Sequence, residues 1–121
     1  MAPELRERLV PVRVNKISDL ARVAATIITL GQPAYLVRFT HNGRRVYAII
    51  AVLRDYYKYY GLPMIYYYVD EEDKFKDGSY LLVKVDDQGE QIELSKGIRH
   101  GWVAIPIIDL AEKPSFVPDD L

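Results

Sequence analysis

"YLVRFTHNGRRVYAII", residues 35–50, is where the reading of the fold begins. Two apolar, alternating runs flank Asn42-Gly43, a dipeptide that tolerates positive φ and suits the type I′ turn of a two-residue hairpin. Such a short loop fixes the register. One face then presents Tyr35, Val37 and Phe39 opposite Ile50, Ala48 and Val46, which is core-like. The other presents Leu36, Arg38 and Thr40 opposite Ile49, Tyr47 and Arg45, and it mixes guanidinium groups with an aromatic ring. On this reading the second face points outward.

Upstream of the hairpin, Ile17 to Leu30 reads as a core helix. Ile17, Leu20, Ala24, Ile27 and Ile28 share one stripe, Ser18 is placed to cap it, Asp19 suits the positive end of its dipole, and Gly31 with Pro33 stops it. Downstream, "LRDYYKYYG" (53–61) suits a short helix and "MIYYYV" (64–69) a strand. Alternation buries either Ile65, Tyr67 and Val69 or the opposite set, Met64, Tyr66 and Tyr68. "DEEDKFKDG" (70–78) reads as a solvated charged loop, and "SYLLVKV" with "EQIELS" as a second hairpin around Asp86 to Gly89. "VAIPIIDL" (103–110) contains Pro106 and is expected at an edge or in an extended segment. The order implies an α+β fold: an antiparallel sheet of about four to five strands with helices packed on one face. The 121 residues form one domain, with 1–15 and 113–121 irregular or peripheral.

Composition removes several functions. The chain has no cysteine, so disulfides, thiolate metal sites and cysteine nucleophiles are excluded. Its two histidines, His41 and His100, have no metal-site spacing. Glycine-rich phosphate loops and nucleophile elbows are absent, so a non-catalytic protein with no cofactor and no metal is expected. The acidic run from Asp70 to Asp73 reads as solvated charge. A metal-dependent nuclease using Asp70, Asp77 and Lys84 is the least favoured alternative. No apolar run is long enough for a membrane span and the N-terminus lacks a signal-peptide pattern, so a cytoplasmic location is expected. Few Asn and Gln among many charges lean towards a thermophile.

Charge and aromatics point elsewhere. Residues 1–60 hold ten Lys/Arg against four acids, and residues 61–121 six against thirteen, a net of +6 against −7. Seven of ten tyrosines lie between Tyr56 and Tyr68. Single-stranded nucleic acid is held by basic grooves along its phosphates and by rings on which its bases stack. Leu36, Arg38, Arg45, Tyr47, Ile49, Arg54, Lys58, Tyr59, Tyr66 and Tyr68 are the candidate contacts, for single-stranded DNA or RNA. Tyrosine and arginine also concentrate in protein interfaces, so an interaction module with an exposed tyrosine surface is the alternative.

The stretches "YLVRFTHNGRRVYAII", "YYKYYGLPMIYYY" and "GWVAIPIIDL" give a chain that resembles the ThermoDBP group of archaeal single-stranded DNA-binding proteins over residues 17–110. The resemblance implies helices on an antiparallel sheet, with DNA in a cleft of apolar floor and basic walls and little sequence preference. Proteins of this group can carry a C-terminal leucine zipper. Here "KPSFVPDDL" ends the sequence without heptads, which leaves a homodimer open but gives it no zipper.

Overall fold

The computed structural model describes residues 10–51, 64–115 and 117–120. Its elements are β1 (Val10–Arg13), α1 (Ile17–Thr29), β2 (Leu36–His41), β3 (Arg44–Ala51), β4 (Met64–Asp70), β5 (Tyr80–Asp86), β6 (Gly89–Ser95) and β7 (Val103–Asp109). The strands form a seven-stranded sheet in the order β1-β4-β3-β2-β7-β5-β6. β1 runs parallel to β4 and β2 parallel to β7, while the other neighbours are antiparallel. The expected antiparallel sheet of four to five strands is therefore corrected to a mixed and mostly β architecture, with one helix among the described residues. The predicted helix over 53–60 lies outside those residues.

The hairpin register is as the turn dictates: Val37 faces Ala48, Arg38 faces Tyr47 and Phe39 faces Val46. Asn42 (φ 54) and Gly43 (φ 76) both take positive φ, the signature of type I′. α1 ends within one residue of its expected end, as Gly31 N–H donates to Ile28 O and Gln32 N–H to Ile27 O. Its start differs. Lys16, in extended conformation, occupies the cap position, and no side chain caps the helix, so Ser18 does not have that role.

One core lies between α1 and the sheet. Leu20, Ala24 and Ile27 meet Leu36 of β2, Tyr47 and Ile49 of β3, Leu81 and Val83 of β5, and Ile105 and Ile107 of β7. Tyr66, Tyr68, Ile92 and Leu94 pack at its margin, which brings β4 and β6 to the same helix. Six flat strands at ~4.8 Å spacing would extend about 24 Å across, roughly twice a helix diameter. The sheet reaches α1 from both sides by curling round it, as a half-barrel.

A second core lies on the opposite face, where Phe39, Val46, Ala48, Ile65 and Val69 pack with Val117. Strands β2 to β4 are thus buried on both faces, and this accounts for the nearly continuous apolar run through β3. Residues 10–13, expected to be irregular or peripheral, form an edge strand, and in the C-terminal stretch expected likewise Val117 is buried in the core. Pro106 is also misplaced by the sequence: β7 is interior. Its residues 103–106 pair with β5 and 107–109 with β2. Because Ile107 N–H donates to Ser79 O, alternation turns the Pro106 nitrogen towards β2, one residue before that pairing starts. The missing donor therefore breaks no ladder bond there.

Candidate nucleic-acid interface

The Arg38–Tyr47 face, expected outward, lies in the main core. Leu36 and Tyr47 are 0% exposed, Ile49 2% and Arg38 4%. Arg45 is partly buried, and Tyr66 and Tyr68 are half-buried. Arg54, Lys58 and Tyr59 lie outside the described residues. The hairpin thus places no more than Arg45, of its five candidates, near solvent. Alternation identifies which residues share a face, but two apolar faces look alike to it, and here both are covered.

A guanidinium at that depth needs partners for all its donors. Arg38 has them. Its Nε and Nη2 fork onto Asp109 at 2.5 and 2.8 Å, Nη1 donates to Phe75 O at 3.1 Å, and Nη2 reaches Gly78 O at 3.3 Å. Nη1 also approaches the Tyr47 hydroxyl at 3.4 Å, and the guanidinium lies over that ring, 5.6 Å from its centroid. The Tyr47 hydroxyl in turn donates to Phe75 O. The bond to Asp109 raises the Arg38 pKa, and the same bond holds the Asp109 carboxyl below its ordinary range. Burial pushes the Tyr47 phenol up, with the Arg38 hydrogen bond opposing it.

This clamp fastens the loop 71–79 over the helix side of the sheet. Asp70, 1% exposed, accepts Lys74 N–H and Phe75 N–H at 3.1 Å each. The Phe75 ring meets Tyr47 edge-on at a centroid distance of 6.5 Å. Gly78 (φ 116) closes the loop so tightly that a Cβ would stand 2.9 Å from Ser95 N. The acidic run is therefore a strap and not simply solvated charge. With both oxygens of Asp70 committed to the loop, the grouping of Asp70, Asp77 and Lys84 finds no support, and the described residues contain no cluster of three His, Asp or Glu able to hold a metal.

An open surface of mixed charge with aromatic rings exists elsewhere, in which Arg13 pairs with Glu71 and Lys74 with Glu72. At the start of α1 a hollow of about 610 Å³ is bounded by Lys16, Ser18, Arg22, Tyr68, Lys74, Phe75, Glu90 and Ile92. A second, of about 240 Å³, lies against Arg13, Glu71 and Glu72. The two share Asn15, Tyr68 and Lys74. Behind Tyr68 stands Tyr47, with centroids 6.4 Å apart and planes tilted by 47°. Burial raises the Tyr68 pKa, and Asp70 adds to the effect. Arg22 spans the gap between helix and sheet: its Nε donates to Glu90 Oε1 at 2.5 Å and its Nη1 lies 3.5 Å from Asp19. Of the sequence candidates among the described residues, Tyr68 alone lines this surface. Lys16, Arg22, Lys74, Phe75 and Glu90 were missed. Phe75 had a signal, as the one apolar side chain in the nine residues of "DEEDKFKDG".

Comparison with known protein families, curated proteins and solved structures found no match. Among the described residues no helix is long and apolar enough to cross a membrane.

Proposed function

We propose that the chain binds single-stranded nucleic acid, without catalysis, along the two hollows that meet at Tyr68. The observation that carries this reading is the position of that ring: half-buried, backed by Tyr47, and shared by both hollows with Lys74 beside it. A braced aromatic ring is a stacking platform for a base, and Lys16, Arg22 and Lys74 stand where they can meet phosphates on one side of it. Phe75, Ile17 and Ile92 give the larger hollow an apolar lining. The contacts are phosphate attraction and stacking, which carry little sequence information. Relative to the sequence reading, the ligand stays and its place moves from the hairpin face to the start of α1.

Titration of a fluorescent mixed-sequence oligonucleotide at low salt tests the reading. Tyr68→Ala should weaken binding by ~1–3 kcal/mol with an unchanged salt slope. Lys74→Ala should lower that slope by about 0.7, the share of one phosphate on a single strand. Absence of binding at micromolar protein in low salt would refute the function.

A further inference from the structure

Glu90 is anomalous among the residues of the larger hollow. It lies on β6, the edge strand, with a side chain 19% exposed. Its Oε1 accepts the Arg22 Nε hydrogen bond, whereas Oε2 is buried with no hydrogen-bond partner. A buried carboxylate oxygen without a donor is costly, and a carboxylate inside an otherwise basic lining works against phosphate binding.

We infer that Glu90 Oε2 is a base-reading acceptor, which selects a base bearing an exocyclic amino group at one position of the bound strand. This rests on the proposed nucleic-acid function. A base lodged in the hollow beside Tyr68 and Phe75 turns its edge towards Glu90, and because Arg22 is 66% exposed the Arg22–Glu90 pair shifts as one unit, bringing Oε2 out to the base while Oε1 keeps its bond. The cytosine N4 amine supplies the missing donor, and acceptance from cytosine N4 is the ordinary base contact of a carboxylate. Thymine presents a carbonyl oxygen at that position and is repelled. Arg22 holds Oε1, so it fixes which oxygen is left for the base. The result is one selective position within a binding mode otherwise indifferent to sequence.

The test compares dC20 with dT20 at pH 7.5 and low salt, using wild type and Glu90→Gln. Wild type should bind dC20 about tenfold more tightly, the scale of one hydrogen bond to a charged group. In Glu90→Gln the Arg22 bond retains the amide oxygen and leaves the NH₂ at the reading position, so the preference should vanish or turn towards dT20. Equal binding of both strands by wild type overturns the inference and leaves the binding function standing. A dC20 preference that survives in Glu90→Gln also overturns it. If neither strand binds, the function and the inference fail together.

Discussion

Two arginines in this chain each place Nε 2.5 Å from a carboxylate oxygen, Arg38 on Asp109 and Arg22 on Glu90. Their surroundings separate them. Arg38 is almost fully buried and also bonds two loop carbonyls and approaches a phenol, so its removal would strand several groups at once. Arg22 is 66% exposed and joins two carboxylates across the mouth of a hollow. The same short bond is a fastening in one place and an adjustable surface contact in the other. Burial and the number of remaining partners decide which, and the bond length does not.

The strongest way to break this contrast is Arg38→Ala. It should cost about 3–5 kcal/mol, read from urea unfolding at pH 7, because the Phe75 and Gly78 carbonyls each lose a charged donor worth about 1.5–3 kcal/mol, whereas Asp109, 60% exposed, stays solvated. A loss below about 1 kcal/mol would mean that the strap is held by packing alone. Asp70→Ala comes next, at about 2–3 kcal/mol, because two backbone donors lose a charged acceptor. It should also raise amide exchange at Lys74 and Phe75, and unchanged exchange there would remove Asp70 from the clamp. Tyr47→Phe sharpens the picture. It deletes one of the donors to Phe75 O while Arg38 Nη1 remains, so a loss of about 1 kcal/mol is expected, and a neutral result would leave Arg38 as the sufficient donor. Arg22→Ala is the smallest. The urea midpoint should stay in place while the salt slope of oligonucleotide binding falls, and a large stability loss would erase the difference between the two arginines.

Acid separates the pairs in another way. The Arg38 bond lowers the Asp109 pKa, so the folded state holds that proton less readily than the unfolded chain does. The resulting stability is complete above the unfolded value, about 3.9, and is lost as pH falls through the lower folded value. Asp109→Asn should therefore flatten the acid limb of the stability curve below about pH 4. An identical acid limb in the variant would show that other carboxylates set it.

Local signals carried the local structure. Asn42-Gly43 and the alternation around it specify the hairpin register pair by pair, and the apolar stripe with Gly31 marks α1. What escaped was everything that depends on distant partners. The parallel pairings of β1 with β4 and β2 with β7 leave no short-range pattern, so the sheet was read as smaller and wholly antiparallel. Arg38 illustrates the same gap at the site. Its spacing places it beside Tyr47, but nothing near it in sequence announces Asp109, Phe75 or Gly78, whose arrival turns a surface cation into an interior one. Tyr68 was legible as one of two alternating sets, whereas Lys16 and Glu90 come together only once the sheet curls.

The partner exchange along β7 has a kinetic consequence. β5 with β6 and β2 with β3 and β4 are assembled from neighbours in the chain, yet they join into one sheet only through this last strand. Its Asp109 meets Arg38 across 71 residues of sequence. Closing a loop of that length costs about 4 kcal/mol in chain entropy before any contact repays it. Folding is therefore expected in the millisecond-to-second range of non-local β proteins, with docking of β7 as the slow event. The guanidinium that sequence placed on the surface acts, in time as in space, as the latch that the final strand closes.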